Sequence, residues 1–336
     1  MIKVGVVGYG YWGPNLVRNF QQCELTSVAC VCDMHKDVLA RVTLTHPGVD
    51  VTMWTEELIN RTDVDAVVIA TPVSTHFEIA MEALKAGKHV FVEKPMTATA
   101  EQSERLVEEA DKRGLTLMVD HTFLYTGPVR KIKELVDGGD LGDILYYDSI
   151  RINLGLFQHD VDVLWDLAPH DLSIMQYVVP HKPCAVSATG MSHFEGEPEN
   201  TAYMTIFFDG NCIGHVHANW MSPVKIRHTL VGGSKQMVLY NDLNPDETVK
   251  VYNKGVTFNR NRESVHEMLI SYRSGDVHIP KIERMEALAV EVRHFAECID
   301  NKKVPLSDGR SGLDTVRLLE AATKSMSMQG KPVELG

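Results

Sequence analysis

Short apolar runs alternate with segments of helical periodicity through the first third of the chain. The runs are nearly continuous in hydrophobic residues, which is typical of parallel strands buried on both faces; they are Ile2 to Val7, Leu25 to Cys32, Val64 to Ala70, Lys88 to Val92 and Leu115 to Val119. Helical spacing predicts helices at Pro14 to Phe20, Val38 to Thr45, Thr75 to Ala86 and Ala98 to Arg113, and Val51 to Trp54 is a weaker strand. This alternation predicts a parallel sheet with helices on both faces.

The pattern changes after residue 121. Strand-like runs now follow one another at Ile144 to Asn153, Cys184 to Gly190, Asn200 to Phe208, Cys212 to Trp220, Lys225 to Val231 and Gln236 to Asn241, with helices at Pro128 to Val136, Met285 to Asp300 and Gly312 to Gln329. Asp209-Gly210 between two of these runs is a hairpin signal. We therefore predict an α/β domain over 1–121 and an α+β domain over 122–336 with a large open, mainly antiparallel sheet. The face of that sheet left uncovered predicts a homodimer or homotetramer.

A glycine motif follows the first strand directly. Gly8-x-Gly10-x-x-Gly13 lies between that strand and the first helix, which is the context that a dinucleotide-binding Rossmann domain requires. Gly8 permits the tight turn, Gly10 lets the backbone approach a pyrophosphate, and Gly13 lets the helix pack on its strand. The alternative is a glycine-rich surface turn without a ligand. The flanking strand and helix favour the nucleotide site.

Asp33 closes the second strand, about 20 residues after the motif. A carboxylate at this point accepts hydrogen bonds from the adenosine ribose and repels a 2′-phosphate. Because Met34 and His35 supply no arginine, the sequence predicts NAD rather than NADP. Asp33 has an alternative role as the cap of the helix that begins near Lys36.

Composition narrows the class of protein. The formal net charge of −12 disfavours binding to nucleic acid or to an anionic membrane. No apolar run approaches the roughly 18 residues that a membrane span needs. The cysteines and histidines show no metal-ligand spacing, so we expect no metal, reduced thiols and a cytoplasmic protein.

Two positions outside the glycine motif carry groups suited to catalysis. The first is Glu93-Lys94-Pro95, at the carboxyl end of a predicted strand, where ligands of parallel sheets bind. Lys94 there can stabilise a developing alkoxide, although a lysine at a strand end is more often simply solvated. Pro95 is a candidate for a cis peptide bond, which about 5–6 % of such bonds adopt.

The second position is the stretch from Trp165 to Asp171. Asp166 and His170 are four residues apart in a predicted helix, so they share one face. A carboxylate beside an imidazole orients the ring and favours its protonated form, which suits acid–base chemistry. Pro169 fits the first turn of this helix. The alternative is that Asp166 caps the helix and that His170 is an ordinary packed histidine.

Taken together and in order, these motifs resemble a known family. Gly8 to Gly13, Ala70-Thr-Pro72 with His76, Ala86 to Pro95 and Asp166-x-x-x-His170 are similar to motifs of the glucose–fructose oxidoreductase/inositol dehydrogenase (Gfo/Idh/MocA) family over essentially the whole chain. The resemblance implies a Rossmann domain, a C-terminal sheet used in oligomerisation, and hydride transfer between nicotinamide and a sugar carbinol. By motif, Lys94 is the active-site lysine, Asp166 the acid and His170 the proton-transfer histidine. The implied coenzyme contacts are Gly8, Gly10, Tyr11, Trp12, Gly13, Asp33, Thr71, Pro72, His76, Glu93 and Lys94.

Within that family, residues 151–155 and 158–161 most resemble the nucleotide-sugar branch, whose members oxidise C3 of UDP-N-acetylglucosamine or its uronic acid. Ala168, where members often carry glycine, is a small departure. Besides the catalytic residues, the candidates for substrate contact are His121, Arg151, Asn153 and Gln158, and Lys225, Arg227, Arg260 and Arg262 are further candidates for a diphosphate or carboxylate. Two alternatives stay open: a dehydrogenase or reductase of free sugars or inositols, and a non-catalytic regulator that senses NAD and a sugar.

Overall fold

The computed structural model describes residues 1–155, 157–258 and 270–335. The chain forms two compact units. The first contains Met1–Thr126 and Met285–Glu320, and the second contains Gly127–Arg284 and Ala321–Gly336.

The first unit is built on a six-stranded parallel sheet. Its strands are β1 (Ile2–Val7), β2 (Thr26–Cys32), β3 (Asp50–Thr52), β4 (Ala66–Ile69), β5 (His89–Glu93) and β6 (Leu117–Asp120), in the order β3-β2-β1-β4-β5-β6. The helices between them are α1 (Gly13–Gln22), α2 (Lys36–Thr45), α3 (Thr55–Ile59), α4 (Val73–Lys85) and α5 (Ala100–Arg113). The predicted strands and helices are all present. Only the five-residue α3 was missed, because one turn of helix shows too little periodicity.

The strand order of this sheet reverses between β1 and β4. Ligands of such sheets bind beyond the carboxyl ends of the strands at this point. The loops that leave β1 and β4 lie against each other there, since a Cβ atom on Gly8 would lie 2.6 Å from the Ala70 carbonyl oxygen. The fold therefore places the glycine motif at the expected ligand edge.

The second unit carries a mixed sheet. Its first elements are α6 (Gly127–Asp137), β7 (Ile144–Leu154), α7 (Val163–Val178), β8 (Pro183–Met191), β9 (Thr201–Phe208), β10 (Ile213–Asn219), β11 (Met221–Gly233), β12 (Met237–Asn241), β13 (Val249–Tyr252), β14 (Gly255–Phe258), β15 (Ile270–Arg273) and β16 (Val277–His278). With β17 (Val333–Glu334), nine of these strands form one sheet in the order β16-β13-β12-β11-β7-β10-β9-β8-β17, and β14 pairs with β15. Only the β7–β10 pair in the sheet is parallel, and β9 and β10 form the predicted hairpin. The mainly antiparallel sheet is confirmed.

The last helices return to the first unit. α8 (Ala287–Asn301) belongs to it, and the division between the units falls within α9 (Gly309–Ser327). Phe295 of α8 packs edge-to-face against Phe20 and Phe91 in the core of the first unit. The predicted domains, 1–121 and 122–336, therefore differ from the two structural units, since residues 285–320 belong to the first unit. Helical periodicity shows that a helix has a buried face, but it does not show which sheet covers that face.

Two observations bear on the class of protein. No helix in the described part of the chain is both long enough and apolar enough to span a bilayer. The six cysteines are free thiols, four of them buried.

Candidate active site

The glycine loop is shaped for a dinucleotide. Gly8 has φ +94°, and side chains on Gly8 or Gly13 would overlap neighbouring backbone, at the Ala70 carbonyl and the Gly8 carbonyl respectively. A Cβ atom on Gly10, in contrast, would meet nothing within 4 Å. The loop thus needs glycine twice for its own geometry and once, at Gly10, to leave its outer face open. That open face precedes the N-terminus of α1, whose free N–H groups favour a phosphate.

Asp33 anchors the first part of this loop. Its Oδ2 accepts a hydrogen bond from the Tyr9 backbone N–H at 2.9 Å, and its Oδ1 accepts one from the His35 backbone N–H at 2.9 Å. The N-cap residue of α2 is His35, so Asp33 is not the helix cap. Oδ1 also lies 3.1 Å from the His35 ring Nδ1. Oδ2 retains a second lone pair, so the ribose interaction predicted from sequence is compatible with these contacts.

His76 connects two loops at the ligand edge. Its Nε2 lies 2.8 Å from the Thr71 carbonyl oxygen and its Nδ1 lies 3.0 Å from the Pro95 carbonyl oxygen. The side chain is 1 % exposed, and burial lowers its pKa below the ordinary value. Its influence on the coenzyme is therefore indirect, through the loops after β4 and β5. The Lys94–Pro95 peptide bond is cis, and the exposed Pro72 precedes α4.

Lys94 and His121 follow the ends of neighbouring strands. Glu93 and Asp120 are partners in the register of β5 and β6, so the next residue of each strand lies at the same edge. His121 is 1 % exposed, and neither ring nitrogen has a hydrogen-bond partner among the described residues. Burial, and then the charge of Lys94, lower the His121 pKa to about 3. The imidazole is therefore neutral beside the lysine, with a donor and an acceptor to offer.

The two aromatic residues of the glycine motif have different surroundings. Tyr11 is 88 % exposed, whereas the Trp12 indole N–H donates to Asp120 Oδ2 at 2.7 Å. Asp120 is not predictable from the local sequence, because nothing near Trp12 marks a partner 108 residues away. The loop is thus held by a carboxylate at each end, Asp33 at Tyr9 and Asp120 at Trp12.

In the second unit, α7 begins earlier than the sequence predicted. The N-cap is Asp162, whose Oδ1 accepts the Leu164 and Trp165 backbone N–H groups at 2.8 and 3.1 Å. The alternative that Asp166 caps the helix is therefore wrong, and Pro169 lies inside the helix rather than in its first turn. Burial raises the pKa of Asp162 to about 6.

Asp166 and His170 both lie on α7, four residues apart, which places them on one face of the helix. Asp166 Oδ2 accepts a hydrogen bond from the Trp220 indole at 3.0 Å. The Ser173 hydroxyl donates to the His170 carbonyl oxygen at 2.9 Å. Both acid–base candidates are partly buried, and the indole fixes the carboxylate from outside the helix.

Arg151 lies in a different setting from the one expected. Its Nε is 2.6 Å from Asp171 Oδ2 and its terminal nitrogen is 3.1 Å from Oδ1, which also accepts the Ser149 hydroxyl at 2.6 Å. The arginine is 4 % exposed. A guanidinium committed to a buried bidentate pair does not fit the expected role of contacting substrate.

The remaining candidates are more accessible. Asn153, near the end of β7, and Gln158, in the segment that follows, are partly exposed, and Lys225 is exposed. Arg227 pairs with Asp242 at 3.3 Å. Arg260 and Arg262 lie outside the described residues.

Comparison with known proteins agrees with the geometry. Residues 2–121 match the Gfo/Idh/MocA oxidoreductase family's NAD-binding Rossmann fold, and residues 133–335 match its C-terminal alpha/beta domain. The chain is 27 % identical to scyllo-inositol 2-dehydrogenase (NAD(+)) of Bacillus subtilis, covering 100 % of this chain and 95 % of that protein. It is 25 % identical to UDP-N-acetylglucosamine 3-dehydrogenase of Acidithiobacillus ferrooxidans, covering 96 % and 95 %.

The fold is shared with a solved oxidoreductase from Agrobacterium radiobacter in complex with NAD+, L-tartaric acid and magnesium. The TM-score is 0.83 at 15 % identity, covering 99 % of this chain and 98 % of that one. The Rossmann sheet, the glycine loop and the two family matches together establish that this chain belongs to the Gfo/Idh/MocA family of NAD-dependent oxidoreductases.

Proposed function

We propose that this enzyme oxidises a secondary hydroxyl of a sugar, and that its substrate is a nucleotide sugar oxidised at C3, such as UDP-N-acetylglucosamine or its uronic acid. The observation that carries the proposal is the pair Lys94 and His121 at the ligand edge of the sheet. A cation beside a buried neutral imidazole without partners among the described residues suits an alcohol, which both donates and accepts hydrogen bonds. When bound, NAD⁺ supplies the hydride acceptor.

Each catalytic candidate has a distinct role. Lys94 donates a hydrogen bond to the substrate oxygen and stabilises the negative charge that develops on it, where a fixed charge in a dry site is most effective. His170 takes the hydroxyl proton, and Asp166 stabilises the resulting imidazolium. The Trp220 hydrogen bond holds the Asp166 carboxylate in position for this task. A positioned general base contributes about 10²–10⁴-fold to such a reaction.

The substrate preference rests on the segment after β7 and on the relatives. Asn153 and Gln158 are the proposed contacts for sugar hydroxyls, and the exposed Lys225 is a candidate for the diphosphate. One relative acts on scyllo-inositol and another on UDP-N-acetylglucosamine, at nearly equal identity. An inositol or free sugar is therefore the alternative substrate.

A thermal-shift screen separates these substrates. The protein is heated with UDP-N-acetylglucosamine, its uronic acid, free sugars or inositols, each with and without NAD⁺. A ligand that binds only the native state raises the melting temperature. We expect a shift with a UDP-sugar and none with inositols, and the reverse pattern would reject the nucleotide sugar. Binding without any growth of NADH absorbance would instead support a sensor.

Replacement of the proposed base tests the mechanism. We expect His170→Ala to lower kcat by at least about 10²-fold, because the substitution removes the general base that takes the hydroxyl proton. Isothermal titration should show NAD⁺ affinity unchanged. The control is His278→Ala, an exposed histidine in the same unit, and near-wild-type turnover of His170→Ala would contradict the assignment.

A further inference from the structure

The Trp12–Asp120 hydrogen bond is part of a buried cluster that the mechanism above does not use. Asp120 Oδ2 accepts the Trp12 indole N–H, and Asp120 Oδ1 accepts the Thr122 hydroxyl. The Glu291 side chain, from α8, interacts with that of Asp120. Glu291 is 0 % exposed, and Asp120 is 1 % exposed. Two carboxyl groups thus lie together in the core of the first unit, at the end of β6.

The donors in this cluster are distributed unequally. Burial raises the pKa of Asp120, but two hydrogen bonds and the attraction of Lys94 oppose that rise. Neither carboxyl oxygen of Glu291 accepts a well-formed hydrogen bond from another group in the described part of the chain. The charges that act on Glu291 are those of Asp120 and Glu93, and both are negative. Two carboxylates in one buried site cannot both ionise without a large cost, so one of them keeps a proton.

We propose that Glu291 is a positioning residue that keeps a proton at neutral pH and donates it to the Asp120 carboxylate, so that the pair holds Trp12 and, with it, the glycine loop in the shape that binds NAD. Asp120 is the ionised member, because its surroundings supply the donors. Burial and the neighbouring Asp120 charge raise the pKa of Glu291 well above its usual range, in agreement with this assignment.

The geometry of the loop explains why this matters for the coenzyme. Tyr9 is fixed through its backbone N–H to Asp33, and Trp12 is fixed through its indole to Asp120. Gly10 lies between these anchors, and its open face is the one that fits a pyrophosphate. Loss of the second anchor frees the segment that leads into α1, so the cost falls on coenzyme binding.

The other titratable and charged groups around the pair come from two elements. Glu93 and Lys94 lie at the end of β5, and Tyr125 lies in the 3₁₀ turn that follows β6. Burial raises the Tyr125 pKa far above its ordinary value, so this phenol is neutral. Lys94 is the one cation among them, and it acts on Asp120.

Infrared spectroscopy locates the proton without substrate or coenzyme. At pH 8, where Asp162 with its pKa of about 6 is ionised, we expect wild type to show the C=O band of a protonated carboxyl group. Glu291→Gln should lose this band, and Asp120→Asn should keep it. Loss of the band in Asp120→Asn, or its persistence in Glu291→Gln, would overturn the assignment. If Glu291→Gln does not fold, the Asp120→Asn spectrum alone decides.

Isothermal titration of NAD⁺ tests the consequence for the loop. A glutamine keeps a neutral donor, so Glu291→Gln should bind NAD⁺ within about threefold of wild type, whereas Trp12→Phe removes a bond to a charged acceptor and should weaken binding about tenfold. Asp120→Asn should weaken NAD⁺ binding by a similar factor. The double variant Trp12→Phe/Asp120→Asn should bind NAD⁺ no more weakly than either single variant, because both remove the same hydrogen bond. The control is Glu297→Gln, a half-exposed glutamate of the same helix that pairs with Arg293.

Either of two binding results would overturn the role in the loop. One is unchanged NAD⁺ affinity in Trp12→Phe, and the other is additive losses in the double variant. A merely structural contribution would lower the melting temperature without moving the infrared band or the affinity. Both measurements use the coenzyme or no ligand at all, so their outcome is independent of the sugar on which the enzyme acts.

Discussion

Arg151 shows how one residue type supports opposite roles depending on its surroundings. Upstream of the proposed catalytic helix, an arginine suggested a substrate contact, but its guanidinium is buried against Asp171. Nothing in the local sequence reveals this, because the partner lies 20 residues away on α7. The charge of an arginine makes it a candidate for contact with a substrate, and its burial decides whether the guanidinium is accessible to that substrate.

Arg151→Met therefore tests a structural role. Removal of one member of a buried ion pair leaves the other charge uncompensated, so we expect the free energy of unfolding to fall by about 3–5 kcal/mol. Urea denaturation measures this change. The control Arg293→Met removes a half-exposed arginine on α8 and should change stability by less than about 0.5 kcal/mol. A raised KM for substrate at unchanged stability would restore the role expected from sequence.

The glycine motif provides a second test at this scale, because its glycines serve different purposes. Gly13→Ala should lower the free energy of unfolding by about 1–3 kcal/mol, since its methyl group overlaps the Gly8 carbonyl. Gly10→Ala should leave stability unchanged, because its methyl group enters open space, but should weaken NAD⁺ binding about tenfold by occupying the pyrophosphate face. Calorimetry of the two variants without coenzyme measures the change in stability, and NAD⁺ titration measures the change in coenzyme affinity.

At the scale of elements, periodicity predicted most of the structure. The long strands and helices of both units lie within a few residues of their predicted bounds, because each has a clear buried face. Five strands were missed, each with two to four residues, which are too few for a period to show: β13, β14, β15, β16 and β17. The site was predicted as far as motifs extend: Gly8, Asp33 and Lys94 lie at one sheet edge. The Asp120–Glu291 pair was not predicted, because no local sequence pattern relates a residue at the end of a strand to a helix residue 171 positions later.

The N-cap of α7, Asp162, makes the stability of the protein depend on pH. The pKa of Asp162 is raised from 3.8 to about 6 in the folded state, so folding takes up a proton between these values. Its contribution to stability is therefore greatest below about pH 4 and declines to a plateau above about pH 6. Asp162→Asn keeps a side-chain oxygen to cap the helix and does not titrate.

We expect Asp162→Asn to gain stability relative to wild type as the pH rises from 4 to 7, by roughly 2.5 kcal/mol in total. Denaturant unfolding at both pH values measures the difference. Asp160→Asn is the matched control, since that aspartate is exposed in the same segment. A difference that shrinks with rising pH would show that the carboxylate is stabilised rather than desolvated.

At the scale of the whole molecule, one face of the nine-stranded sheet carries exposed apolar side chains that bear on association between copies of the chain. Phe207, Ile213 and Tyr146 are cross-strand neighbours in one row, with exposures of 37 %, 47 % and 36 %. Two rows further along the same face, Tyr203 stacks on His217 with ring centroids 4.3 Å apart, and the row between them holds Thr205, His215 and Asp148. Exposed aromatic and aliphatic side chains grouped on one face of a sheet are typical of protein interfaces. We therefore expect two copies of the chain to associate through this face.

Phe207→Glu tests the association, because a carboxylate in the middle of an apolar contact is desolvated without a partner. In a two-fold contact the same patch is used by both subunits, so one substitution introduces the charge twice. We expect light scattering after gel filtration to give the mass of a dimer or tetramer for wild type and a smaller assembly for the variant. Leu44→Glu, an 83 % exposed leucine on α2, should behave as wild type. If Phe207→Glu keeps the wild-type mass while Leu44→Glu dissociates, the interface lies on the first unit instead.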